Sequence, residues 1–194
     1  DYFAQNALHN CDLINLEDML QNGTNINGVM IEKPHKFLTA MTIATQIITA
    51  VTSSQYGGAT VTMTHLAPFV RESYNRYLKK YRDRKLTPQQ CEKFAKEDLA
   101  KEIKDGVQTF QYQILSLSGT NGQSPFISMS MNFDECEDEQ QEKDLALVLE
   151  EVLRQRIDGI IDRNGKEVAP LFPKLLYFLD ENNTYEDSEY FWLT

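Results

Sequence analysis

Ile127-Ser128-Met129-Ser130-Met131-Asn132-Phe133 decides the class of the fold. Apolar and polar side chains alternate strictly over these residues, the period of a strand with one apolar and one polar face. Upstream, Thr109 to Ser118 reads as a partner strand, with Gly119-Thr120-Asn121-Gly122-Gln123 as the turn between them. Asn-Gly supplies the backbone conformations that hairpin turns require.

Working outward, strand-like and helix-like periods take turns. Phe37 to Thr52 places Phe37, Ala40, Met41, Ala44, Ile47, Ile48 and Val51 at three- and four-residue spacing, which predicts a helix. Its many Thr and Ile lower helix propensity, so packing must hold it. Ahead of it, Asn22-Gly23-Thr24-Asn25 and Asn27-Gly28 bracket a turn-rich loop. Gly57-Gly58 ends the helix, and Ala59 to Met63 is a β-branched strand. Pro68 to Arg84 is a second helix. Thr87-Pro88-Gln89-Gln90 opens a third, with Thr as N-cap, Pro at the first helical position and Gln three residues on; it is expected to reach about Lys104 and to lie on the surface. Cys136 to Gly159 predicts a fourth helix, with Leu145, Val148, Leu149, Val152 and Leu153 on one stripe. Asn164-Gly165 turns the chain, and Leu171 to Leu179 is the last strand. The order β-α-β-α-α-β-β-α-β is an α/β arrangement, read as a single domain over residues 1–194.

The chain has 29 acidic and 19 basic residues, a formal charge of −10. Affinity for a nucleic-acid polymer comes from Lys and Arg releasing counterions, so this balance argues against such a partner. A single nucleotide needs only a few local groups. No apolar run approaches the ~20 residues of a membrane span, so no membrane partner is expected. The first residues, Asp1-Tyr2-Phe3-Ala4, lack an initiator Met and a cleavage signal and read as cut from a longer protein. Cys11, Cys91 and Cys136 are sparse, odd in number and far apart, which suits a reducing, cytoplasmic setting and gives no zinc-finger spacing.

Phosphate-loop, dinucleotide and zinc-protease motifs are absent from the sequence. Cys11 beside His9 forms a candidate thiol–base pair, although a lone Cys is more often a small buried hydrophobe. Cys91 and Cys136 fall on helices expected at the surface. Gly119 to Gln123 could cradle a phosphate through backbone N–H groups, or simply turn a hairpin.

Several blocks resemble, in order, the class III (anaerobic) ribonucleoside-triphosphate reductases. They are Asp1-Tyr2-Phe3-Ala4, Asn10-Cys11-Asp12-Leu13-Ile14-Asn15-Leu16 and Asn22-Gly23, followed by Ala44-Thr45-Gln46-Ile47-Ile48, Ser54-Gln55-Tyr56-Gly57-Gly58 and Leu66-Ala67-Pro68-Phe69-Val70. Thr120-Asn121-Gly122-Gln123-Ser124-Pro125-Phe126 and Leu171-Phe172-Pro173-Lys174-Leu175 complete the series.

The resemblance implies an α/β fold that is about half of a ten-stranded barrel of the glycyl-radical enzyme and ribonucleotide reductase type. It implies a homodimer, a ribonucleoside triphosphate substrate, a deoxynucleoside triphosphate effector and a radical-generating activase. Cys11 matches the family's first-strand cysteine beside the substrate ribose, where a thiol can donate hydrogen and electrons to a ribose radical and a hydroxyl does so poorly. Lys33, Gln46 and Lys79 are the groups expected to hold the effector: a cation at the entry of the helix at 37–52, an amide on that helix's face, and a cation late on the helix at 68–84. No cofactor or metal ligand is expected in this chain. A glycyl radical, a C-terminal zinc and, as reductant, formate are implied for the full-length protein. The finger-loop cysteine has no counterpart here, although Tyr190-Phe191-Trp192-Leu193-Thr194 resembles its lead-in. Two alternatives stay open: a glycyl-radical enzyme of the pyruvate formate-lyase type, and an isolated module that only dimerises and binds nucleotide effectors.

Overall fold

The computed structural model describes residues 11–53, 58–118 and 126–194. The His9 half of the thiol–base pair and the Gly119–Gln123 phosphate cradle lie outside the described residues. In chain order the elements are β1 (Asp12–Leu13), α1 (Leu16–Gln21), β2 (Thr24–Ile26), β3 (Val29–Ile31), α2 (Phe37–Thr52) and β4 (Ala59–Thr62). A 3-10 turn (Met63–Leu66) then leads into α3 (Ala67–Asp83), α4 (Pro88–Ser116), β5 (Ile127–Met131), α5 (Glu139–Asp158), β6 (Ile160–Ile161), β7 (Glu167–Val168) and β8 (Lys174–Tyr177).

β1, β4, β5 and β8 form one parallel sheet in that spatial order. Each later strand lies beside the one before it and the order never reverses. Crossovers of one hand then keep returning to the same side, unlike the doubly wound sheets whose order reverses. Ala59, Val61, Ile127, Met129 and Met131 are all buried in the core with the helices. Among the described residues the sheet is open, with β1 and β8 at its edges.

The Thr-rich α2 is held as packing demands. Phe37, Ala40, Met41, Ala44, Ile47 and Ile48 are buried. The threonines satisfy themselves on the helix: the Oγ1 atoms of Thr42, Thr49 and Thr52 donate to the carbonyls of Leu38, Thr45 and Ile48 at 2.9, 2.8 and 2.7 Å. The first turn has no cap of its own. Instead the Phe37 N–H donates to Ser73 Oγ of α3 at 2.8 Å, and the Leu38 N–H to Glu102 Oε1 of α4 at 3.1 Å. Orphan donors at a helix start are thus answered from two other helices.

The structure corrects the region around α4. Its capping box, Thr87 with Gln90, is present as the sequence predicts. The helix does not stop near Lys104, however, but continues to Ser116, so Thr109–Ser118 is not a strand and no hairpin joins it to β5. Ile103, Val107, Phe110 and Ile114 are buried at helical spacing, and burial against α2 outweighs the β-leaning composition of Thr109-Phe110-Gln111-Tyr112. Gly106 sits inside this helix because Phe37 crosses it: an added Cβ would lie 2.9 Å from Phe37 Cε1.

Four further differences are smaller. The turn-rich loop at 22–28 contains the β2–β3 hairpin, whose two-residue turn, Asn27-Gly28, has positive φ at both positions (52° and 82°). The fourth helix starts at Glu139, capped by Asp138, whose side chain accepts from the Gln141 N–H at 2.8 Å, so Cys136 precedes it. Its inner face carries Asp144 as well as the expected leucines and valines, and Arg71 of α3 meets that carboxylate through two hydrogen bonds of 2.9 and 2.6 Å. Cys91, expected at the surface, is buried among Tyr81, Ala95 and their neighbours.

Gly106→Ala tests the close approach. In an open helix the change gains up to about 1 kcal/mol. Here overpacking against Phe37 costs about 1–3 kcal/mol, so the variant should unfold at lower denaturant concentration. A higher urea midpoint would contradict the packing described.

Candidate functional site

Registered partners in a parallel sheet point to the same side. With the apolar set committed to the helices, the opposite side carries Leu13, Thr60, Ser128 and Lys174 in one row, and Thr62, Ser130 and Leu176 in the next. Cys11 precedes β1 by one residue, and the Asp12 N–H donates to the Gly58 carbonyl at 3.2 Å. Strand alternation puts Cys11 on the side of Leu13, in a row with Gly58, Phe126 and Phe172. Cys11 and Lys174 are exposed, and Leu13 is 84% exposed. Ser130, by contrast, is buried, and Thr62 Oγ1 donates to the Glu135 carboxylate at 2.6 Å. At the N-terminal end of this face Cys11 and Lys174 are exposed and Thr60 and Ser128 partly so; Leu176, in the next row, is also exposed.

Gly58 shapes that end. The Phe126 ring lies across it, so close that an added Cβ would meet Phe126 Cδ1 at 2.7 Å. The same ring packs on Phe172, with centroids 4.9 Å apart, and carries the Lys174 ammonium 4.8 Å above its centre. Arg156 of α5 fixes the approach to β8, donating to the carbonyls of Pro170 and Pro173 at 2.8 and 2.6 Å.

The expected effector groups are separate in the structure. Lys33 lies ahead of α2 and pairs with Glu72 of α3 at 2.8 Å. Gln46 is exposed on α2, about 13 Å along the axis from Phe37 at a rise of about 1.5 Å per residue. Lys79 is exposed late on α3. Among the described residues no hydrogen bond or ion pair joins these three. Thr60, Ser128 and Lys174 are not singled out by the sequence. The alternating serines give a polar face, but only the strand register shows that Lys174 shares it with Cys11.

A concavity of about 880 Å³ lies elsewhere, on the helix layer between α3, α4 and α5, with Leu99, Ile103 and Leu147 among its lining residues. It holds none of the residues just described, and its size alone gives no chemistry. The sheet face has an exposed thiol, Cys11, and the Lys174 ammonium.

The sequence model of the family described as anaerobic ribonucleoside-triphosphate reductase matches residues 1–194. This chain belongs to that family. Among anaerobic ribonucleoside-triphosphate reductases it is 33% identical to the Salmonella typhimurium protein over 194 residues, covering 98% of this chain and 26% of that protein. It is 30% identical to the enterobacteria phage T4 protein over 190 residues, covering 96% of this chain and 30% of that one. The chain thus spans under a third of the reductases it matches. A crystal structure of the Thermotoga maritima anaerobic ribonucleotide reductase, with dATP bound in the specificity site, matches with a TM-score of 0.60 at 15% identity, over 91% of this chain and 30% of that one. Another, in complex with dATP and CTP, matches with a TM-score of 0.57 at 17% identity, over 77% of this chain and 26% of that one. At such identities the likeness is one of fold.

The three thiols of this chain differ sharply in environment. Burial, reinforced by the Glu142, Glu135 and Asp138 carboxylates, pushes the Cys136 thiol up to about 12. Cys91 is buried, and its Sγ contacts the Leu86 carbonyl at 3.6 Å. Since the thiolate is the reactive form, iodoacetamide at pH 8 should label Cys11 first, and the other two only after unfolding. Peptide mass spectrometry of the native protein checks this; equal labelling of Cys136 would contradict the burial described.

Proposed function

We propose that the protein carrying this chain reduces ribonucleoside triphosphates to deoxyribonucleoside triphosphates by glycyl and thiyl radical chemistry, with residues 1–194 as the first half of its ten-stranded catalytic barrel. The observation that carries the reading is Cys11 on the bare face of a parallel sheet whose strand order never reverses. That order and one-sided packing are what a barrel wall needs, because the helix-free face becomes the interior when further strands close the sheet. A thiol on that wall can give hydrogen and electrons to a ribose held against it. Family membership favours the reductase over a pyruvate formate-lyase type of enzyme.

The glycyl radical, the zinc and the formate reductant belong to this proposal for the full-length protein. Among the described residues no three His, Cys, Asp or Glu side chains group as metal ligands, and the zinc is proposed for the full-length protein only. A cytoplasmic homodimer served by a radical-generating activase completes the proposal, and no described helix is long and apolar enough to cross a membrane. The deoxynucleoside triphosphate effector is proposed to sit near α2 and α3, with Lys33, Gln46 and Lys79 as its contacts. For Lys33 this requires exchanging the Glu72 carboxylate for a phosphate.

In the full-length protein Cys11→Ser should reduce turnover to background while the glycyl radical signal in electron paramagnetic resonance persists. Retained turnover would remove Cys11 from the mechanism. For the effector, calorimetric titration with the four deoxynucleoside triphosphates should give weaker binding in Gln46→Ala and Lys79→Ala. Unchanged affinity in both would refute that placement and leave the family assignment intact.

A further inference from the structure

We infer that Lys174 is the phosphate-positioning residue of the substrate site, holding the triphosphate of the nucleotide whose ribose faces Cys11. This deepens the reading above and rests on it. Three observations support the assignment. The first is register: Lys174 pairs with Ser128, Ser128 with Thr60 and Thr60 with Leu13, so the lysine stands on the same face as the cysteine, three strands away. At about 4.8 Å per strand the backbones are about 14 Å apart, and the flexible lysine stem closes part of that span. A nucleotide laid across the sheet, ribose at β1 and phosphates towards β8, bridges the remainder and passes over the hydroxyls of Thr60 and Ser128.

The second observation is charge. Among the described residues no carboxylate pairs with Lys174, whose ammonium rests only on the Phe126 ring, whereas Lys33 and Lys80 are paired with Glu72 and Asp98. The residues that share its row are Ser128, Thr60 and Leu13, none of them acidic, and the Glu135 carboxylate sits at the opposite end of the face on Thr62. In a chain of net charge −10 this is a local region where a polyanion meets a cation and no like charge. The third is preorganisation. The Phe126 and Phe172 rings and the Arg156 hydrogen bonds to Pro170 and Pro173 fix the start of β8, so the ammonium is presented from a held backbone.

The test uses the full-length reductase and equilibrium binding of the four ribonucleoside triphosphates, with the corresponding nucleosides as phosphate-free probes. Lys174→Met keeps the stem and removes the charge. It should weaken triphosphate binding about tenfold or more, the loss of one charge-assisted contact, and leave nucleoside binding unchanged. Lys174→Arg should restore most of the triphosphate affinity. Binding of dATP, measured on the same samples, reports whether each variant is folded; should Lys174→Met fail that check, Lys174→Gln takes its place. Unchanged triphosphate affinity in the charge-free variant overturns the assignment. Equal losses for triphosphate and nucleoside also overturn it, since they make Lys174 a scaffold residue. Failure of the wild-type protein to bind any ribonucleoside triphosphate defeats the proposed function itself, and is distinct from both of those results.

Discussion

Along Ala59–Thr62 and Ile127–Met131 every second side chain must enter the helix layer, and the parallel register between the two strands makes those choices agree. A slip of one residue in either strand would drive Thr60 or Ser128 hydroxyls among Phe37, Met41 and Phe110, and would turn Val61 or Met129 to solvent. The cost of burying unpaired hydroxyls, added to the lost apolar burial, pins the register. The chemistry on the other side inherits that register. Cys11, Thr60, Ser128 and Lys174 share one face because the opposite set of residues has no other place to go.

The helix layer is joined by polar contacts as well as by its core. Ser73 and Glu102 cap the start of α2 from α3 and α4, and Arg71 ties α3 to Asp144 of α5. Burial pushes the Asp144 carboxyl up even with the guanidinium beside it, so desolvation offsets part of what the pair contributes. Gly106 allows α2 and α4 to approach across Phe37, and the threonines of α2 satisfy their own hydroxyls so that this close-packed layer buries few unpaired groups.

Much of this was legible in the sequence, and the failures have physical causes. The apolar stripes of α2 and α5, the caps at Thr87 and the alternation at 127–133 are local signals, and they read correctly. Thr109–Ser118 misled because β-branched and aromatic residues favour strands on average, while burial of Val107, Phe110 and Ile114 against α2 depends on a partner far away in sequence, as Leu38 is 64 residues from Glu102. The Asn27-Gly28 turn was legible as a turn, but the three-residue strands beside it were too short to alternate visibly. Cys11 was reached through resemblance to a family. Lys174 was quoted in that resemblance without a role, since a lysine at the start of a short strand carries no signal until the neighbouring strands are in register.

The unreversed strand order has a consequence for how the protein is made. Each strand of the sheet pairs with the one synthesised before it, so β4, β5 and β8 in turn meet a neighbour that has already left the ribosome. A doubly wound sheet must leave its first strand waiting on one side until a later strand arrives. Here growth runs in a single direction, and each new strand is added at the newest edge. For a sheet of parallel strands, whose long crossovers make pairing slow, vectorial assembly limits the time that edge spends unpartnered.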